Sequence, residues 1–142
     1  MIYLAQCDST AGLLSRDARA LNICKSAPAH KALLIESSSL STLKRLIRVP
    51  NKYKHLIRKS RLKTFIYPNA KAIRLVQDKW HLRFLSAHRA LYSTSANLSG
   101  QHFNKQWALK ACDVVVYDKR GLSQKASSKI YKINNYRIQR RR

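Results

Sequence analysis

A chain of 142 residues with 29 Lys and Arg against 6 Asp and Glu carries a formal net charge of +23, yet 45% of its residues are hydrophobic. That apolar share is enough to enclose a core, so a disordered basic tail is excluded, and a single domain over residues 1–142 is expected at this length. The apolar residues come in short bursts such as Leu33–Ile35 and Val114–Val116, far below the roughly 18 consecutive residues of a membrane span, so neither a transmembrane helix nor a membrane partner is expected.

The opening Met1–Gln6 has no basic segment followed by a long apolar stretch and a small-residue cleavage site, which leads us to expect a cytoplasmic protein. Cys7, Cys24 and Cys112 are odd in number and lack CxxC spacing, so they imply reduced thiols, at least two of them in the core, and no zinc knuckle. The five histidines show no ligand spacing with carboxylates or cysteines, and no metal site is expected. So one-sided a charge favours polyanionic or phosphorylated partners; it is equally compatible with a surface simply solvated by Lys and Arg.

In chain order, Ile2–Cys7 reads as a strand that ends in the turn-forming cluster Asp8-Ser9-Thr10-Ala11-Gly12. Leu13, Leu14, Ala18, Leu21 and Cys24 fall near helical spacing, with Pro28 as the stop. Lys31–Glu36 predicts a second buried strand, and Ser37–Ser41 supplies caps for a helix using Leu43, Leu46 and Ile47 that closes at Pro50. From Lys44 to Arg74 the chain holds eleven basic residues and no acid. Within this run Lys63–Tyr67 and Ala72–Val76 form a predicted hairpin around Pro68-Asn69. A helix through Trp80, Phe84 and Leu85, a strand at Ala90–Ser93, a polar loop at Thr94–Gly100, a helix around Trp107 and Leu109, and a buried strand at Val114–Tyr117 follow. Ile130–Ile133 and Tyr136–Ile138 close the chain as two short strands around Asn134-Asn135, with Arg140–Arg142 as a basic tail. This order predicts an α/β fold with a twisted, open mixed sheet and flanking helices.

Three features carry chemistry. Cys7-Asp8-Ser9 lies at the carboxyl end of the first strand, where open α/β sheets place ligands. Lys25 precedes Pro28, where a cation meets either a phosphate or merely the helix dipole. Ser95-Ala96-Asn97-Leu98-Ser99-Gly100 offers small hydroxyl and amide groups with free backbone N–H groups after a buried strand, as an anion site or as an ordinary turn.

Together these residues resemble the YrdC domain family, the threonylcarbamoyl-adenylate synthases that begin tRNA threonylcarbamoyladenosine (t6A) synthesis. Ser93–Gly100 looks like the family's Thr-Ser-Ala-Asn-x-Ser-Gly signature, and Cys7–Leu13 is similar to its Thr-Asp-Thr-Val-Tyr-Gly-Leu segment at Asp8, Gly12 and Leu13. Lys25-Ser26-Ala27-Pro28 looks like Lys-x-Arg-Pro, Thr64 like the threonine of Pro-Gly-x-x-Thr, and Ala72-Ile73-Arg74 like Val-Arg-x-Pro. Cys112–Val116 is similar to Ala-Asp-x-Ile-x-Asp, Ser127–Ile130 to Pro-Ser-Thr-Ile, and Ile138-Gln139-Arg140 to the closing Ile-Leu-Arg.

The resemblance implies a YrdC-like domain over residues 1–142, with its sheet around a basic cavity that takes ATP, threonine and bicarbonate and releases pyrophosphate and threonylcarbamoyl-adenylate. Lys25 would be the catalytic cation, on phosphate or bicarbonate. Ser9, Ser95, Asn97 and Ser99 would hold the nucleotide phosphate and the threonyl group, Thr64 and Arg74 would line the same cavity, Ser128 would contact threonine and Arg140 the nucleotide. Mg²⁺ is expected with ATP only, tRNA or other RNA (double-stranded RNA included) is a possible partner, and so are proteins of tRNA modification. The sequence departs from the pattern at Ala27 for arginine, Cys7 for threonine and Ala11 for the aromatic, has no Pro-Gly before Thr64, and starts without the usual leading helix, so a trimmed domain is expected. A methyl group does not replace a bidentate guanidinium, which keeps a second reading open: a non-catalytic YrdC-like domain that binds RNA or nucleotide.

Overall fold

The computed structural model describes all residues 1–142. In chain order it contains β1 (Tyr3–Gln6), β2 (Ala11–Ser15), α1 (Ala18–Cys24), β3 (Leu34–Ser37), α2 (Leu40–Leu46), a 3-10 turn (Asn51–Tyr53), α3 (Lys54–Lys59), β4 (Lys63–Ile66) and β5 (Ala72–Leu75). These are followed by α4 (Lys79–His88), β6 (Ala90–Ser95), α5 (Lys105–Ala111), β7 (Val114–Val116), β8 (Lys129–Ile133) and β9 (Ile138–Arg140). The expected α/β class holds, and the chain divides into two compact units, residues 1–33 with 91–126 and residues 34–90 with 127–142. No helix is long and apolar enough to cross a membrane.

In the first unit the strands run β7-β1-β2-β6, with β7 parallel to β1 and the other neighbours antiparallel. Every residue of β2 is buried, and Leu13 and Leu14 belong to it rather than to the helix that their spacing predicts. A fully buried strand has no polar face, so its continuous apolar run merges with the helix pattern that follows. The helix begins only at Asp17, whose carboxylate accepts from the Arg19 and Ala20 amides at 3.0 and 3.2 Å. Leu4, Leu13, Leu21, Ala96 and Ala108 form the core here, with the half-buried Cys24, Trp107 and Cys112 packed on it. All three thiols are free.

The second unit orders its strands β3-β5-β4-β8-β9, with β3/β5 and β4/β8 parallel and β4/β5 and β8/β9 antiparallel. The Pro68-Asn69 hairpin forms as expected, closed by an Ala70 N–H to Tyr67 carbonyl bond of 2.8 Å with Ala70 at φ 67°. Ser39 caps α2 by accepting from the Thr42 amide at 3.1 Å, and α2 stops at Leu46, short of Pro50. The 3-10 turn and α3 were hidden by the basic run, where Lys and Arg at most positions leave little apolar periodicity to read. The C-terminus is not a free tail, because Arg140 belongs to β9 and Arg142 donates from Nε and Nη2 to the Ser128 carbonyl at 3.1 and 2.8 Å.

Gly12, paired with Ala5 on one side and Ser95 on the other, is the β2 position with no room for a side chain. A Cβ there would lie 2.7 Å from Cys7 Sγ and 3.2 Å from the Thr94 carbonyl oxygen, inside van der Waals contact. Gly12→Ala is therefore expected to lower stability by about 1–3 kcal/mol, read as a drop in thermal midpoint; an unchanged midpoint would show that Cys7 swings aside without strain.

Candidate functional site

Lys25 is delivered by the end of α1. It is the C-cap residue, its amide donates to Leu21 O at 3.2 Å, and the chain then turns through Ser26 at φ 56°. The following loop is tied back by Asn22, whose Nδ2 donates to Ala29 O at 3.3 Å and Lys31 O at 2.8 Å. The ammonium does not spend itself on the helix carbonyls. It donates to Ser95 O at 2.6 Å, Thr94 Oγ1 at 3.0 Å, Ser95 Oγ at 3.2 Å and Asn97 Oδ1 at 3.4 Å.

The oxygens come from the end of β6 and the turn beyond it, so Thr94 and Ser95 are strand residues and not loop residues as expected. Register places Ser95 opposite Gly12. Asn97 holds the turn by donating to Leu98 O at 2.7 Å and Gln101 O at 2.6 Å, and the Ser99 amide closes onto Lys25 O at 3.2 Å. Lys25, Ser95, Asn97 and Ser99 thus form one cluster. Lys25 is 6% exposed and has only neutral oxygens as partners, while Ser95 and Ser99 face solvent. Burial, with the charge of Lys31 adding to it, pulls the ammonium from its usual 10.5 down to about 8.

Ser9 is buried in the β1–β2 loop of the same unit. The arginine found on this loop is Arg120, whose Nη2 donates to Gln6 O at 2.8 Å and Nη1 to Cys7 O at 3.4 Å while it pairs with Asp118 at 2.7 Å. Sequence reading missed it; its Asp118-x-Arg120 spacing marks only a local turn. Arg16 and Arg19 are exposed.

Thr64, Arg74 and Ser128 meet in the second unit. Strand register sets Glu36 beside Arg74 and Arg74 beside Thr64, so alternation sends their side chains to one face. Arg74 Nη2 pairs with Glu36 Oε1 at 2.5 Å, Nη1 donates to Ser128 Oγ at 3.2 Å, and Ser128 Oγ bonds Thr64 Oγ1 at 2.8 Å. His81 Nε2 binds the other Glu36 oxygen. All five side chains are at most 3% exposed. Glu36 and His81 were missed: the pair is 45 residues apart, beyond any local spacing rule, although a carboxylate inside the apolar strand Leu34–Ser37 was itself a signal. Arg140 is exposed and its Nε donates to the Arg142 carbonyl at 3.3 Å; the guanidinium that reaches the Ser128 backbone belongs to Arg142.

No protein-family model matches the sequence, and no curated protein sequence matches it. Among solved structures the chain is similar to P. abyssi Sua5 complexed with L-threonine, with a TM-score of 0.78 at 15% identity over 96% of this chain and 48% of that one. It is similar to E. coli YciO with a TM-score of 0.77 at 14% identity over 99% and 82% of the two chains. Full-length HypF in its phosphate- and nucleotide-bound form gives 0.74 at 14% identity, over 99% of this chain and 26% of that one. At these identities the likeness is one of fold: the chain has a YrdC-like α/β fold and spans about half the length of the Sua5 chain.

Two outcomes test the clusters. The folded ammonium of Lys25 loses its proton as pH rises through about 8 while the unfolded chain keeps it to 10.5, so its burial weighs against the fold below about pH 8 and relaxes between those values. The ¹³Cε resonance of Lys25 is expected to titrate near 8 and to shift upward when sulfate binds; a midpoint above 10 with or without sulfate would sink the reading. Separately, Glu36→Gln leaves Arg74 without its counter-ion and is expected to cost about 3–5 kcal/mol, lowering the thermal midpoint by roughly 10 °C. A Glu36→Met/Arg74→Met pair is expected to recover most of that loss.

Proposed function

We propose that the chain is a divergent threonylcarbamoyl-adenylate synthase, joining threonine, bicarbonate and ATP to give threonylcarbamoyl-AMP and pyrophosphate for t6A modification of tRNA. The observation that carries this reading is Lys25, a buried ammonium held by neutral oxygens with no carboxylate beside it. The shift from 10.5 to about 8 corresponds to a differential cost on the order of 3 kcal/mol for keeping it charged. A cation kept at that cost has a use, and an anion arriving at Ser95 would supply the missing charge.

Threonine's amine and bicarbonate condense to a carbamate with loss of water; a carbamate oxygen then attacks the α-phosphorus of ATP and pyrophosphate leaves. No side-chain nucleophile takes part. Lys25 neutralises phosphate charge, Ser95, Asn97 and Ser99 orient the nucleotide phosphate and threonyl group, and Ser9 of the β1–β2 loop is proposed to join them. Thr64, Arg74 and Ser128 are proposed on the threonine side and Arg140 on the nucleotide side. Such catalysis works by positioning and charge neutralisation. The oxygens around Lys25 are hydroxyl, amide and carbonyl, a poor set for a resident Mg²⁺, so the ion would enter as the Mg²⁺ complex of ATP. Support for the two ligand classes comes from the neighbours in fold, one complexed with L-threonine and one nucleotide-bound.

Ala27 and the Glu36-paired state of Arg74 favour the second reading, a YrdC-like domain that binds nucleotide or RNA without turnover. Pyrophosphate release separates the two. With Mg²⁺, ATP, threonine and bicarbonate, release that stops when either threonine or bicarbonate is omitted is expected; nucleotide binding without release would sink the synthase. Lys25→Met is expected to reduce release at least 100-fold while raising the thermal midpoint, since it removes a buried charge.

A further inference from the structure

β7 is the outermost strand of the first unit and pairs only with β1, in parallel, with Val114 beside Tyr3, Val115 beside Leu4 and Val116 beside Ala5. In a parallel ladder one residue turns both its N–H and its C=O toward the neighbour and the next turns both away. Val114 faces β1, since its amide donates to Ile2 O at 3.2 Å. Val115 therefore holds its N–H and C=O outward, and the same alternation, carried one step past the strand, turns Tyr117 outward too.

Open strand edges are ordinarily blunted by charge, proline or a bulge. β9, at the outer edge of the second unit, carries the exposed Arg140 and runs straight into Arg141. β7 has none of these devices: Val114, Val115 and Val116 are uncharged, and their register with β1 runs without a bulge. Its one protection is its length of three residues, which limits how tightly a partner binds without preventing the pairing. Apolar surface gathers at the same place. Val114 is 37% and Tyr117 65% exposed, and the exposed Met1 precedes Ile2, whose amide donates to the Asp113 carboxylate at 2.7 Å. Charge is also better balanced here, since the first unit holds four of the six acids but only nine of the 29 Lys and Arg.

From this edge we infer that a second copy of the chain extends the sheet, β7 against β7, antiparallel about a two-fold axis. The outward groups fix the register. With Val115 opposite Tyr117 of the second copy, the two residues exchange N–H and C=O, and the two-fold repeats the exchange, giving four backbone bonds. With Val115 opposite itself only two form, and Asp113 adds none through its amide, which is already given to Ile2 O at 2.8 Å. The four-bond register sets Val116 on the axis and Asp113 across from Lys119, so an opposite-charge pair closes each end. Asp118, the other acid nearby, is already held by Arg120 at 2.7 Å. The Val115 side chain, packed on the core of its own unit, gains the Tyr117 ring of the second copy as a cross-strand neighbour. An edge with an acid before it and a base after it is matched at both ends by its own antiparallel copy, whereas a peptide of one charge would be repelled at one end.

The test is sedimentation equilibrium of the chain freed of nucleic acid by nuclease and salt. An edge this short belongs to the weak class of interface, and a dimer with a dissociation constant on the order of 10–100 µM is expected. Tyr117→Pro removes an outward amide and no bond to β1, so it is expected to abolish the dimer while leaving the thermal midpoint of the diluted monomer unchanged. Lys119→Glu lowers the net charge, which by itself favours association, yet it sets two acids against each other at each end and is expected to weaken the dimer about tenfold. Lys105→Glu, the same charge change at the start of α5, is expected not to weaken it. The amides of Val115 and Tyr117 are expected to exchange with solvent more slowly as concentration rises, while that of Val116, already turned to β1, keeps its rate. A monomer at every concentration, a dimer indifferent to Tyr117→Pro, equal effects of the two lysine variants, or slowing at Val116 in place of its two neighbours would overturn the inference. No ATP or threonine is present, so the result is independent of the synthase assay.

Discussion

Every buried cation in this protein competes for carboxylates that are scarce, since 29 Lys and Arg share 6 acids. In the second unit Glu36 and Asp78 are the only acids, and Asp78 is occupied at the start of α4, where it accepts from the His81 amide at 2.9 Å. Glu36 alone is left to balance the interior, and it does so by giving one oxygen to Arg74 and the other to His81. In the first unit no acid is spent on Lys25 at all, and backbone and hydroxyl oxygens replace it. The same shortage therefore produces two unlike outcomes: a closed ion pair in one unit and a solvated-by-protein ammonium in the other.

The two arrangements differ in what they leave for a ligand. Arg74 already has a carboxylate at 2.5 Å, so an incoming anion would have to compete with Glu36 for it. Lys25 has neutral partners, and an anion at the solvent-facing Ser95 would add attraction without displacing any charge. An ammonium carries three protons and here finds four oxygens within reach, so its bonds can be redistributed at small cost when a ligand oxygen arrives. This asymmetry leaves Lys25, rather than Arg74, as the buried cation without a charged partner.

What was legible in the sequence follows the range of the interactions that make it. Caps and turns are local, and Ser39 before α2 and Pro68-Asn69 between β4 and β5 were readable as such. The Ser95–Gly100 segment and Lys25 were singled out from residue type, and the structure brings them within hydrogen-bond reach across 70 residues of chain. The boundary between β2 and α1 was not readable, because Leu13 and Leu14 satisfy a buried strand and an amphipathic helix equally well. Glu36, His81, Arg120 and Arg142 escaped for another reason: each acts through a partner set by strand register or chain return, which no spacing rule encodes.

A YrdC-like fold at 14–15% identity requires few particular residues to be kept. The apolar side chains that β1, β2 and β6 bury tolerate exchange for others of similar volume. Gly12 does not, since Cys7 Sγ and the Thr94 carbonyl occupy the space of any side chain there. Gly12 pairs with Ser95, whose carbonyl is the shortest contact of Lys25, so this steric requirement sits one strand pairing away from the ammonium's closest partner. Ala27 lies two residues beyond Lys25, in the turn that Asn22 ties down, and its amide is used to close that turn on Asn22 O at 2.9 Å. The backbone at this position thus closes its turn without help from the side chain, and the two proposed readings of the protein divide on whether a ligand needs a guanidinium there.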